Sequence, residues 1–151
     1  MTTTTATVDG RAIGLAHYAS RAVLESVLAR HGITFPQSVA LRFAVASGPP
    51  VGRAELVGHL TDSLKVTGAD ADAVIGELAG AGLLESRQPS SLRVTDAGRE
   101  TQERISAETR AVSGRIYAGI PAADLAVAGR VLALVRERAD AELAAAATGA
   151  G

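Results

Sequence analysis

The stretch from Val51 to Thr95 constrains the fold most, because apolar spacing switches there from helical to strand-like. After a strand stub at Val51, the run Arg53, Ala54, Glu55, Leu56, Val57, Gly58, His59, Leu60 begins a helix with Leu56, Val57, Leu60 and Leu64 at helical steps. It is expected to end between Thr61 and Lys65. A second helix opens at Thr67, where a hydroxyl followed by the Asp70 carboxylate can satisfy free backbone amides and favour the positive helix end. Val74, Ile75 and Leu78 supply its inward stripe, and Gly82 stops it. Leu83 to Arg87 then forms a strand, Gln88, Pro89, Ser90 and Ser91 a polar turn, and Leu92 to Thr95 a return strand.

Helix, turn, helix and hairpin in this order make a winged helix-turn-helix, and the rest of the chain supplies helices around it. Upstream, Ile13, Ala16, Ala19 or Ser20, Val23, Leu24, Val27 and Leu28 mark a long amphipathic helix from about Asp9 to Arg30, closed by His31 and Gly32. Thr34 and Gln37 form a capping-box pair around Pro36, and Leu41, Ala44 and Val45 continue that helix to Ser47-Gly48-Pro49-Pro50. Downstream, Thr95 caps a helix from Asp96 to about Ala118 whose large aliphatics are Ile105, Val112 and Ile116. Most of its circumference is expected to be solvated. Gly119-Ile120-Pro121 leads to a last helix reaching about Ala147, with one seam of Leu125, Ala128, Leu132, Val135, Ala139 and Glu142 or Leu143, and another of Val127, Val131 and Leu134. Two apolar seams need two partners, which argues for a homodimer; a simple core helix is the other reading. The expected division is a disordered start over 1–9, a dimerisation helix over 10–34, a DNA-binding domain over 35–98, dimerisation helices over 99–145 and a disordered tail over 146–151. Thr2 to Thr5 have nothing to pack, and the alanine-rich end from Ala144 should fray.

Composition narrows the class further. Hydrophobic content of 47% supports a sizeable core, and only 3% aromatic residues favours close-packed helices, so the fold class is mostly α with a small β-hairpin wing. With 15 basic against 16 acidic residues, any attraction for nucleic acid must be local. The absence of cysteine excludes disulfides, thiol chemistry and cysteine-ligated zinc. No apolar run approaches the roughly 18 residues of a membrane span, and Met1 to Gly10 lacks the order of a signal peptide, so a cytoplasmic location is expected. His17, His31 and His59 are too scattered for a metal cluster, and no nucleophilic motif or phosphate-cradling glycine loop occurs. Neither an enzyme, a metal nor a cofactor is expected.

The chain resembles the multiple-antibiotic-resistance-regulator (MarR) family of bacterial transcription factors. The resemblance rests on Ala54-Glu55-Leu56-Val57, on Leu78-Ala79-Gly80-Ala81-Gly82-Leu83-Leu84 where helix meets strand, and on Leu92-Arg93-Val94-Thr95-Asp96-Ala97-Gly98-Arg99 after the hairpin. It spans roughly residues 10 to 143. It implies a homodimer joined through its first and last helices, with Ile13, Leu125, Leu132, Val135 and Ala139 in the interface. Such a dimer places two recognition helices on double-stranded DNA at a pseudo-palindromic operator, represses genes and is released by a small aromatic or phenolic ligand.

The second motif helix departs from a typical base-reading surface. With Ala71, Val74, Ile75 and Leu78 inward, its outward face is Gly68, Ala69, Asp72, Ala73 and Gly76, and only Asp72 can accept from a cytosine amine. Arg53, Thr61, Ser63, Lys65, Thr67, Arg87, Ser90, Ser91 and Arg93 are candidates for phosphate contacts, which position a protein without reading sequence. A ligand site is expected from His17, Tyr18 and Arg21 of the first helix with Phe43 of the second, a cation beside rings that suits an anionic aromatic molecule. A structural role for these side chains stays open. So does a winged-helix dimer that has lost sequence-specific DNA binding and serves as a ligand-binding or protein-interaction module.

Overall fold

Capping chemistry sets most of the helix boundaries. In the computed structural model, which describes residues 6–149, α1 spans Gly10–Ala29 and α2 Phe35–Ser47. Asp9 accepts from the Ala12 N–H to start α1, while Thr34 and Gln37 form the reciprocal capping box of α2. The helix-turn-helix follows as α3, Arg53–Leu64, and α4, Gly68–Gly80, with the second capping box closed between Thr67 and Asp70. Three short strands, β1 Val51–Gly52, β2 Leu84–Gln88 and β3 Ser91–Val94, precede α5, Asp96–Tyr117, and α6, Ala122–Thr148. Residues 1–5 and 150–151, parts of the expected disordered ends, lie outside the described residues.

Several boundaries differ from the expectation: Gln88 and Ser91, expected in the turn, belong to β2 and β3, and β3 ends at Val94 rather than Thr95. The first strand of the hairpin begins at Leu84, because the Leu83 N–H bonds to the Leu78 carbonyl at 2.9 Å and the Gly82 N–H to that of Ala79 at 3.0 Å. Those two bonds close α4 with a left-handed Gly82, φ 75°, so Leu83 belongs to the helix terminus. At the other end of the chain, α6 remains helical through Thr148, past the alanines expected to fray.

The chain divides into two units, one ending at Val112 and the other beginning at Ser113. In the first, the strands form an antiparallel sheet in the order β1-β3-β2, with Val51 opposite Leu92 and Glu85 opposite Arg93. Leu28, Leu41, Leu56, Leu60, Ile75, Leu78, Leu84 and Leu92 are fully buried and form one core with the hairpin's inner face. On α4 the buried residues are Ala71, Ile75 and Leu78, with Val74 half-buried, as the helical spacing requires. On α5 they are Gly98, Gln102 and Ile105, a stripe in which a glycine and a glutamine stand where large aliphatics are usual. An added Cβ at Gly98 would lie 2.3 Å from the Leu83 carbonyl oxygen, so the helix can reach the hairpin only with glycine there. Thr95 completes this join: its hydroxyl donates to the Gly82 carbonyl at 2.6 Å and accepts from the Gly98 N–H at 3.0 Å.

In the second unit, no residue of α6 is buried, and Val127, Val131, Leu132, Leu134 and Val135 are exposed large hydrophobics. Among the described residues, no single helix is long and apolar enough to cross a membrane.

Candidate nucleic-acid interface

Arg53 joins the three parts of the motif. As the first residue of α3, its N–H donates to the Ser90 carbonyl in the hairpin turn at 2.9 Å. Its guanidinium reaches α4, where Nη1 donates to Asp72 Oδ1 at 3.0 Å. The N-terminus of α3, the outward face of α4 and the hairpin turn are therefore linked through one residue. Gly68, Ala69, Asp72, Ala73 and Gly76 are all exposed, which leaves a small, flat face with one carboxylate, and that carboxylate is already paired.

The hairpin's cations are held in a similar way. Glu85 stands opposite Arg93 in the β2/β3 register, and cross-strand neighbours of opposite charge meet readily. Its Oε1 accepts from Arg93 at 2.6 Å and from Arg87 Nε at 3.0 Å. Arg87 sits at a bulge, between Ser86 opposite Leu92 and Gln88 opposite Ser91. Glu85 was missed from the sequence because nothing local fixes that register; its only signal is the alternation Glu85, Arg87 on one strand.

The remaining expected contacts are scattered by function. Lys65 caps α3 in the left-handed conformation, φ 55°, and lies 3.6 Å from Asp62 Oδ1. The Thr61 hydroxyl donates to the Gly58 carbonyl at 3.1 Å, and Thr67 is occupied as the cap of α4. Ser63 and Ser90 are exposed, and Ser91 is half-buried in β3.

The four expected ligand residues do not line the cavities described below. His17 and Tyr18 meet edge to face with centroids 5.8 Å apart, and Tyr18 is 69% exposed. Arg21 Nε donates to Glu25 at 3.0 Å while its guanidinium lies 4.4 Å over the Phe35 ring. Phe43 instead stacks on His59 of α3 at 4.0 Å. Cavities form elsewhere. One of about 490 Å³ lies between α2, α3 and α4, lined by Leu60, Leu64, Val66, Val74, Asp70 and Glu77. Another of about 480 Å³ lies between α2 and α5, lined by Arg42, Val45, Gln102, Glu103, Ser106 and Arg110. Gln102 donates to the Ser106 hydroxyl at 2.9 Å, and its buried Oε1 has no hydrogen-bond partner among the described residues.

These features define a winged helix-turn-helix protein with long flanking helices. No protein-family model and no curated relative matches the sequence. Solved structures do. A MarR family protein of Mycobacterium tuberculosis is 26% identical at a TM-score of 0.63, over 83% of this chain and 92% of that one. In its complex with DNA the values are 25% and 0.66, over 86% and 98%. CouR of Rhodococcus jostii, bound to p-coumaroyl-CoA, is 16% identical at 0.71, over 84% and 90%. MarR of Staphylococcus aureus, in complex with salicylate and kanamycin, is 17% identical at 0.71, over 84% and 87%. The chain shares the fold of these solved MarR-family winged-helix regulators.

Proposed function

We propose that the protein is a homodimeric, ligand-responsive DNA-binding regulator of transcription, acting as a repressor in the cytoplasm rather than as an enzyme. The observation that carries this reading is Arg53, whose N–H bonds to the hairpin turn and whose guanidinium pairs with Asp72 of α4, on a motif that also carries Arg87, Arg93, Ser90 and Ser91. Rigid placement of a helix beside a hairpin suits a groove flanked by phosphates. Residues 35–98 form the DNA-binding domain in this reading. Ile13 with Leu125, Leu132, Val135 and Ala139 meets a second copy, which sets the spacing of two half-sites. The exposed seams of α6 support the dimer, since a surface so apolar is unusual on a monomer.

Ligand response draws support from the α2/α5 cavity, where Arg42 and Arg110 offer cations to an anionic molecule, and from the ligands bound to the two regulators named above. His17, Tyr18, Arg21 and Phe43 remain candidates if a second copy completes their surroundings. The paired Asp72 and the lack of a basic group on the outward face of α4 favour a second reading, a winged-helix dimer without sequence-specific DNA binding. Recovering genomic fragments bound by the purified protein, then screening metabolites for release, decides between them. Enrichment of a pseudo-palindromic fragment supports the first; negligible affinity even at low ionic strength leaves only the second.

A further inference from the structure

Three arginines of the interface are each held by a carboxylate: Arg53 by Asp72 at 3.0 Å, Arg87 and Arg93 by the single Oε1 of Glu85 at 3.0 and 2.6 Å. All of these side chains are at least one third exposed. Exposed ion pairs contribute little to folding stability, so holding the fold together is a poor account of them. Their effect on an approaching polyanion is larger. Each carboxylate takes part of its arginine's donors and offsets the cationic charge that would otherwise attract a phosphate, and the carboxylate itself repels the phosphates. The strand register keeps the Glu85 backbone opposite Arg93, so its carboxylate stays close to the hairpin's arginines.

We propose that Glu85 and Asp72 compete with backbone phosphate for these arginines and so hold down the protein's affinity for duplex DNA whatever its sequence. The proposal rests on the DNA-binding reading above. Phosphate contact is the same for every sequence, so the competition lowers all affinities alike, and only a site offering further complementarity in shape or base edges offsets it.

The test compares the full-length wild type with Glu85→Gln and Asp72→Asn by fluorescence anisotropy on a random-sequence duplex over a range of salt. Glu85→Gln should bind about tenfold tighter and steepen the log-log salt dependence by up to about two, because two arginines are released to phosphates. Asp72→Asn, on a different element, should bind severalfold tighter with a change of about one. A role only in bracing the hairpin would weaken binding instead. The proposal is overturned if both variants keep the wild-type melting temperature and bind no tighter. It is also overturned if the gain survives in Glu85→Gln combined with Arg87→Ala and Arg93→Ala, which would assign it to net charge alone. Wild-type binding with no gain in the variants removes this inference only; no binding by any of them at low salt removes the DNA-binding reading with it.

Discussion

Arg53 Nη1 lies 3.0 Å from Asp72 Oδ1, so the first residue of α3 neutralises the one carboxylate on the outward face of α4. Asp72 had been the expected acceptor for a cytosine amine. Its charge is offset by Arg53 while its second oxygen can still accept from a base, and the Arg53 N–H separately bonds to the hairpin turn.

Arg53→Ala is expected to weaken binding to any duplex by about five- to twentyfold and to reduce the log-log salt slope by about one. Its side chain is partly exposed and lies outside the core, so the melting temperature should change little. Anisotropy titrations at several salt concentrations, with thermal unfolding alongside, measure both.

Gly98→Ala is expected to destabilise the protein by about 2–3 kcal/mol, since the added methyl would meet the Leu83 carbonyl oxygen at 2.3 Å and Val94 Cγ1 at 2.8 Å. Gly58→Ala provides the contrast. That glycine is an exposed helical residue with nothing within 4 Å of an added Cβ, and the change should stabilise by about 0.5–1 kcal/mol. Urea unfolding of the two variants tests the difference in sign.

Acid should weaken the join between the end of α1 and α5. Glu108 accepts from Arg30 and contacts His31 Nε2 at 2.8 Å, and these hydrogen bonds, that of Arg30 foremost, hold its carboxyl below the usual glutamate range. The unfolded chain therefore binds this proton more readily than the folded one. The stabilisation is fully present above about pH 4.3 and is lost as pH falls through the lower folded value. Glu108→Gln should remove that component, seen as a flatter dependence of unfolding free energy on pH in the acid range.

In the proposed dimer, Leu132→Glu should favour the monomer, raising the dissociation constant on the order of a hundredfold or more, because a lone carboxylate would be buried against an apolar seam. Sedimentation velocity reads the mass directly. The monomer should retain its helical circular dichroism, since Leu132 is not buried within the chain. A variant that stays dimeric would place the interface away from this seam.

The sequence by itself determined the elements. Both capping boxes, Thr34 with Gln37 and Thr67 with Asp70, the stop at Gly82 and the buried face of α4 all depend on residues three or four apart, so local spacing is enough to find them. The tertiary structure alone decided the partners. Glu85 meets Arg93 through a strand register, Gly98 is required because Leu83 passes within van der Waals reach, and Phe43 turns to His59 rather than toward the α1 residues expected beside it. Gln102 is buried on α5 although its type is usually exposed, since helical position and not polarity brings it beneath α2. Capping and periodicity are satisfied within one turn of helix, whereas ion pairing, close backbone approach and side-chain stacking depend on which distant segments the core brings together.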